Sequence, residues 1–208
     1  MERRPVRVVH FNPEPDPGVV PALLRALGHG CELVPCAALA GRWRAAPDER
    51  VVLLGGIRSV IEPLDEELRA TVTAVERWLE AGSAVFGICL GAQVVAFTLG
   101  ARVRRHPRGV RKIGYHPVWA AGGAGRADPA GEGGFPFPAG TYYHWHYDVI
   151  EDLRDGEVTL AGAHTAVQAF ARGPRVVGVQ FHPEVTSATI ARLTTVAGHR
   201  LASPGAQA

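Results

Sequence analysis

Short apolar segments alternate with amphipathic ones over the first 100 residues, and this alternation constrains the fold more than any other feature. The short segments are rich in valine and leucine on both faces, as in strands buried inside a parallel sheet. The amphipathic segments repeat apolar residues every three or four positions, which is typical of helices. The pattern predicts strands at 6–11, 31–36, 51–54 and 84–88, and helices at 19–27, 64–79 and 92–99.

Strands that alternate with helices predict an α/β domain whose sheet is covered on both sides. After Gly100 the segments at 101–119 and 157–181 read as shorter strands, which indicates an additional short-strand region. The Gly/Ala/Pro-rich segment 120–134 predicts a flexible surface loop, and residues 198–208 predict a frayed tail. We therefore expect one domain over 1–197.

Composition excludes several classes of protein. The chain has 22 Lys+Arg against 20 Asp+Glu, a formal net charge of +2, and 47% hydrophobic residues. Such a balance gives no general attraction to nucleic acid or to an anionic membrane, and no reason for disorder. Three cysteines without a C-x-x-C pair predict neither a disulfide framework nor a structural zinc site. With no apolar leader or membrane-length segment, we expect a soluble, cytoplasmic protein.

The pentapeptide Gly-Ile-Cys-Leu-Gly at 87–91 ends an apolar strand and opens a predicted helix. This is the G-x-nucleophile-x-G pattern of a strand-to-helix elbow, with Cys89 in the nucleophile's place. The N-terminus of the following helix would stabilise a thiolate and a developing oxyanion. The alternative is a buried core cysteine that happens to lie between glycines.

The segment Phe-His-Pro-Glu at 181–184 follows another apolar run. A cysteine nucleophile needs a base to take its proton, and His182 can serve if a carboxylate orients its ring. Glu184, two residues on, is a candidate for that carboxylate. A lone His-x-Glu is a weak signal, and its value comes from the elbow.

Together, GICLGAQ at 87–93 and QFHPEV at 180–185 resemble the class I (triad) glutamine amidotransferases. The segment HWH-x-D at 144–148 is most similar to the stand-alone, GMP-synthase-like branch, and the resemblance extends over about residues 6–190. It implies a flavodoxin-like three-layer sandwich with a mostly parallel central sheet. It also implies hydrolysis of glutamine to glutamate and ammonia, without a cofactor, and passage of ammonia to a separate synthase, since the chain is too short to include one.

The resemblance also implies roles for individual residues. Cys89 would form a γ-glutamyl thioester, His182 would move the proton, and Glu184 would orient His182. The remaining implied residues are Gly55, Gly56 and Leu90 for the oxyanion hole, and Gln93, Trp145, His146 and Tyr147 for the amino-acid end of the substrate.

Three positions depart from the family pattern. Ile57 follows the double glycine where proline is usual, Lys112 stands where an acidic residue is common, and Tyr147 replaces a glycine. A bulky Tyr147 beside the substrate would narrow the site or admit a different molecule. The departures motivate a second hypothesis, a hydrolase or transferase acting on another γ-glutamyl amine, peptide or conjugate.

Other functions are less well supported by the sequence. A non-catalytic scaffold on the same fold is a third hypothesis, which the complete triad disfavours. His144 and His146 would share one face of a strand, but with no third ligand at useful spacing we expect no metal. Asp148 is expected to be a hairpin or capping residue. The basic cluster at 102–112 is expected to be a solvated hairpin or an acidic-partner face, not a nucleic-acid patch.

Overall fold

The computed structural model describes residues 4–40, 45–46, 48–61, 63–121, 137–163 and 165–206. In these residues the chain forms a large mixed sheet, a small two-stranded sheet and four α-helices. The helices are α1 (Val20–Ala26), α2 (Glu66–Glu80), α3 (Leu90–Thr98) and α4 (Ser187–Ala197). The strands are β1 (Val6–His10), β2 (Cys31–Pro35), β3 (Arg50–Leu53), β4 (Ala84–Ile88), β5 (Arg102–Arg105), β6 (Lys112–Ala120), β7 (Gly140–His146), β8 (Asp148–Glu151), β9 (Glu157–Gly162), β10 (Thr165–Arg172) and β11 (Val176–Val179).

The large sheet has nine strands in the order β2-β1-β3-β4-β11-β10-β9-β6-β7. Its first five strands are mutually parallel. From β11 outward, the neighbouring strands pair antiparallel. Strands β5 and β8 form the separate antiparallel pair. The α/β class with a parallel centre and an added short-strand region is therefore confirmed.

Side-chain alternation along the parallel strands produces one core on each face of the sheet. In β3, Val51 and Leu53 pack on the face that α2 and α3 cover. Val52, between them, joins the opposite core, which includes Val20 of α1. Strands with two buried faces have no polar face, which explains their continuous apolar sequence.

Helix α4 was not predicted. Its sequence is rich in β-branched residues, which have low helix propensity. The helix is instead set by local contacts: the Thr186 side chain accepts a hydrogen bond from the Thr189 N–H at 3.1 Å. Arg192 then joins the helix to Asp16 at 2.6 Å. Both contacts are polar, so a search for periodic apolar residues does not find them.

The structure describes most of the segment that the sequence predicts to be a frayed tail. Residues 198–202 form a 3-10 helix. The carbonyl of Pro204 accepts a hydrogen bond from the Arg111 N–H at 2.9 Å, and Ala206 forms a β-bridge with Ile113. Strand β9 pairs with β6 only at 118–120, so the start of β6 keeps a free backbone edge that this segment fills.

Two further expectations concern the loop at 120–134 and the lack of a membrane-length segment. Of the predicted flexible loop 120–134, residues 122–134 lie outside the described residues. Among the helices that are described, none is long and apolar enough to cross a membrane.

Candidate active site

The predicted site residues meet where the parallel strands end. Gly55 and Gly56 follow β3, Cys89 follows β4, and His182 and Glu184 follow β11. These strands are neighbours in the order β3-β4-β11, so residues far apart in sequence converge at one edge. The carboxyl edge is where open α/β sheets commonly bind ligands.

Cys89 lies on a strained turn between β4 and α3. Its backbone angles are φ 51° and ψ −107°, a conformation that side-chain-bearing residues rarely adopt. The turn requires Gly91, because a Cβ there would lie 2.7 Å from the carbonyl carbon of Leu53. The Gly91 N–H donates to the carbonyl of Leu54 at 3.1 Å, which ties the elbow to the end of β3. The strand-to-helix turn that the sequence predicts at 87–91 is present, with Cys89 between β4 and α3.

His182 faces both Glu184 and Cys89. Its Nδ1 lies 2.7 Å from Oε1 of Glu184, so Nδ1 carries the hydrogen and donates to the carboxylate. The other ring nitrogen, Nε2, is buried and makes no hydrogen bond within the described structure. Burial alone would lower the pKa of His182, but the charges of Glu184 and Cys89 raise it well above the usual 6.5. The imidazole is therefore held ready to accept a proton.

The double glycine lies directly against this pair. A Cβ on Gly55 would lie 2.9 Å from Cε1 of His182 and 3.5 Å from Cβ of Cys89. Leu90 is the first residue of α3, where a backbone N–H has no acceptor within its own helix. Gly55 thus borders the thiol, and Gly56 and Leu90 line the same cavity.

Two predicted substrate-binding residues also reach the thiol's surroundings. The Trp145 carbonyl lies 3.8 Å from Sγ of Cys89 and accepts from the thiol. Gln93 is buried, and its Nε2 donates to Oε1 of Gln180 at 3.3 Å. Gln93 therefore reaches the cavity from a fixed orientation.

His146 points inward and belongs to a buried hydrogen-bonded chain. Its Nδ1 lies 3.0 Å from the carbonyl of Asp148, which can only accept, so Nδ1 carries the hydrogen. Nε2 of His146 then accepts from Nδ1 of His144 at 3.3 Å. Burial and the charge of Lys112 lower the pKa of His146 to about 3, so the ring is neutral. These hydrogen bonds fix the two residues that flank Trp145, His144 and His146.

Tyr147 is surrounded by cations. Arg105, Arg111 and Arg200 lie 5.8, 4.9 and 5.5 Å from its ring centroid. Arg200 also donates to the Tyr147 hydroxyl at 2.9 Å. Tyr147, which departs from the family pattern, is thus held by arginines that lie outside the HWH-x-D segment.

All of the predicted site residues line one cavity of about 570 Å³. The sequence-based prediction did not include several residues of its wall. Arg105 and Asp148 form an ion pair at 3.1 Å there, and Ser59 donates to Asp148 at 2.6 Å. Arg192 and Arg200 also line the cavity. Asp148 ends the HWH-x-D segment, whereas Ser59 and the arginines belong to no motif and only their position in the fold identifies them.

The sequence also offered a basic cluster at 102–112 and a possible metal site at His144 and His146. Across the β5–β8 pair, Arg102 bonds to Asp152 and Arg104 to Glu151, so much of the basic cluster meets acidic residues of the same chain. Lys112, by contrast, is buried. Among the described residues, no group of three or more His, Cys, Asp or Glu side chains is arranged to hold a metal ion.

Comparisons with known proteins agree with this geometry. The family model described as glutamine amidotransferase class-I matches residues 19–193. The GMP synthase [glutamine-hydrolyzing] of Thermomicrobium roseum is 34% identical over 161 residues, which cover 74% of this chain and 27% of that protein. The protein of the same name from Mycolicibacterium paratuberculosis is 32% identical over 186 residues, 88% of this chain and 32% of its own length. The chain thus spans about a third or less of these curated relatives.

Solved structures show the same fold. A glutamine amidotransferase from Thermotoga maritima superposes with a TM-score of 0.77 at 24% identity, over 96% of this chain and 85% of that one. A glutamine amido transferase from Methylobacillus flagellatus gives 0.80 at 19% identity, over 96% and 78%. With the family model matched along most of its length, the chain belongs to the class-I glutamine amidotransferases.

Proposed function

We propose that this chain hydrolyses the side-chain amide of glutamine through a thioester on Cys89, releasing glutamate and ammonia. The observation that carries the proposal is the geometry around the thiol. Cys89 lies on a strained elbow, and His182, bonded to Glu184 at 2.7 Å, carries a pKa that the charges of Glu184 and Cys89 raise. A thiol beside an imidazole that a carboxylate orients is the arrangement of an activated nucleophile.

In the proposed first half-reaction, His182 accepts the Cys89 proton and the thiolate attacks the amide carbon. The oxyanion that forms accepts hydrogen bonds from the Leu90 N–H and the Gly55–Gly56 turn. His182 returns the proton to the amide nitrogen, the C–N bond breaks, and ammonia leaves. The acyl group remains on sulfur as a γ-glutamyl thioester.

In the second half-reaction, water attacks the thioester carbon while His182 removes a proton from the water. The C–S bond breaks, the sulfur regains a proton, and glutamate departs. Glu184 orients the imidazole in both halves and stabilises its cationic form. Atoms balance as glutamine plus water giving glutamate plus ammonia.

The proposed partner is a separate synthase that accepts the ammonia. The curated relatives bear the name GMP synthase [glutamine-hydrolyzing], and this chain covers only 27% and 32% of two of them. The match to the family model at 19–193 includes the elbow and the His-Pro-Glu segment, which in this proposal supply the ammonia-releasing chemistry.

Steady-state release of glutamate from L-glutamine tests the proposal. The wild-type chain is expected to release glutamate and ammonia in equal amounts, and Cys89→Ala to release neither. Glutamate release that survives Cys89→Ala would overturn the thioester mechanism.

One observation favours a second candidate, hydrolysis or transfer of another γ-glutamyl compound. Tyr147, which departs from the family pattern described above, lines the cavity and accepts a hydrogen bond from Arg200 at its wall. The thioester chemistry is the same for any γ-glutamyl amide, so the choice between candidates depends on what this wall recognises.

A further inference from the structure

The cavity wall around Tyr147 carries more positive charge than its neighbours balance. Arg105 is paired with Asp148 at 3.1 Å. Arg111 donates to the hydroxyl of Ser203, and Arg200 to the hydroxyl of Tyr147. Within the described part of the chain, neither Arg111 nor Arg200 forms a salt bridge with a carboxylate, whereas Arg58 and Arg192, on the same cavity, both do.

Packing against an aromatic ring does not compensate these charges. A ring face attracts a guanidinium only weakly, and three cations around one ring repel each other. Arg200 uses one of the five N–H donors of its guanidinium to bond to Tyr147. The other donors can bond to a ligand. The Tyr147 hydroxyl accepts that bond, so its own hydrogen remains available to donate.

We infer that Arg200 and Tyr147, with the added charge of Arg111, form a subsite that binds a carboxylate of the substrate. The inference rests on the proposed function, because both Arg200 and Tyr147 line the cavity that contains Cys89. A guanidinium beside a hydroxyl donor matches the two oxygens of a carboxylate. Sulfur attack at one end and carboxylate binding at the other would fix a γ-glutamyl substrate in a single orientation.

A γ-glutamyl compound can offer a carboxylate from two sources. One is its own α-carboxylate, which glutamine also has. The other is a carboxylate on the amine that leaves, as in a γ-glutamyl amino acid. Two matched pairs of compounds separate these sources: L-glutamine with L-glutaminamide, and γ-glutamylglycine with γ-glutamylglycinamide. Within each pair only one carboxylate is replaced by a neutral amide of similar shape.

The experiment measures kcat/KM for all four compounds with wild type, Arg200→Gln, Tyr147→Phe and the control Arg175→Gln. Arg175 is exposed and contacts Asp48 and the Gly82 carbonyl away from the cavity, so the control loses the same charge elsewhere. Cleavage is followed as isoglutamine from L-glutaminamide and as glutamate from the other three compounds.

Wild type and Arg175→Gln are expected to prefer the carboxylate-bearing member of at least one pair by about 10- to 100-fold, the scale of one charged hydrogen bond. Arg200→Gln is expected to reduce that preference to within roughly threefold, mainly through KM, and Tyr147→Phe to reduce it partially. The pair that responds identifies which carboxylate is bound.

A preference that is absent from both pairs, or that persists unchanged in Arg200→Gln, would overturn the inference while leaving the proposed function intact. Wild type that cleaves none of the four compounds would overturn both. Because Arg200 also anchors Tyr147, the thermal midpoint of each variant is measured. If Arg200→Gln does not fold, Arg200→Lys, which keeps the charge but loses the fork, gives the same comparison with a smaller expected loss.

Discussion

The proposed chemistry depends on the pair formed by His182 and Glu184. The two side chains are two positions apart, and their 2.7 Å contact leaves Nε2 of the ring facing the interior. Burial lowers the pKa of His182, whereas the charges of Glu184 and Cys89 raise it well above 6.5. The carboxylate therefore decides whether the imidazole can hold the proton of the thiol at neutral pH.

Glu184→Gln tests this dependence. Without the carboxylate, burial dominates, and the pKa of His182 is expected to fall, as followed by NMR titration of its ring. We expect kcat/KM for glutamine to fall by about 10²- to 10⁴-fold, the usual contribution of general acid–base catalysis. Glu157→Gln, on the exposed start of β9, serves as control. An unchanged His182 titration would show that Glu184 does not set its charge.

A second residue of interest is Lys112, the only lysine among 22 Lys and Arg residues. Its side chain is 3% exposed, and its Nζ makes no hydrogen bond with any described residue. Burial lowers its pKa from 10.5 to about 8. An arginine could not release its proton in this way, which gives a physical reason for lysine here.

Lys112→Met is expected to change the pH dependence of stability. Between pH 8 and 10.5 the unfolded chain holds the lysine proton and the folded chain does not, so the free energy of unfolding of the wild type rises with pH there. The rise from this group approaches ~3 kcal/mol, and at pH 7 Lys112→Met is expected to be the more stable protein by up to that amount.

Urea unfolding of both proteins at pH 7 and pH 10 measures the effect. The difference between the two curves isolates Lys112, because cysteine and tyrosine titrations are common to both. Lys112→Arg is expected to be strongly destabilised, since a buried guanidinium stays charged. Parallel pH dependences for wild type and Lys112→Met would contradict the account of this site.

At the scale of the element, the nucleophile elbow is held by close backbone approach. Gly91 sits where a Cβ would lie 2.7 Å from the carbonyl carbon of Leu53, and its N–H bonds to the Leu54 carbonyl. The elbow is therefore tied to the end of β3, the strand that Gly55 follows.

Gly91→Ala is expected to destabilise the fold by at least about 2 kcal/mol, because backbone atoms cannot move aside as a flexible side chain would. Gly140→Ala is the matched control, since its added Cβ would lie 3.7 Å from Cε2 of Tyr142, an ordinary contact. Urea unfolding compares the two variants. If both variants lose the same small amount of unfolding free energy, the backbone around Gly91 can shift to accept a Cβ, and this contact does not hold the elbow.

The elements also show what the sequence could predict. Strands β1, β3 and β4 were evident because both of their faces are apolar, and the elbow because two glycines flank Cys89. Helix α4 was not predicted because polar contacts, its Thr186 cap and the Arg192–Asp16 ion pair, stabilise it. Hydrophobic periodicity does not show such contacts. Arg200 was missed for a similar reason: it approaches Tyr147 from a distant segment, and its bond exists only in the folded chain.

At the scale of the whole molecule, one sheet edge gathers the chemistry. Strands β3, β4 and β11 are adjacent and parallel, so the double glycine, the thiol and the His-x-Glu pair all emerge at the same end. The antiparallel strands beyond β11 then supply the Trp145 carbonyl and Tyr147. The parallel strands therefore position the proposed reacting groups, and Trp145 and Tyr147, at the end of β7, contribute to the wall of the same cavity.

Rapid chemical quench of the wild-type chain with L-glutamine detects the proposed thioester on Cys89 itself. In acid-quenched samples analysed by peptide mass spectrometry, we expect one γ-glutamyl group on the peptide that contains Cys89, formed before or together with the first ammonia. His182→Ala is expected to slow its formation by orders of magnitude. Ammonia released at the wild-type rate with no acyl group on Cys89, or with the acyl group on another residue, would contradict the account.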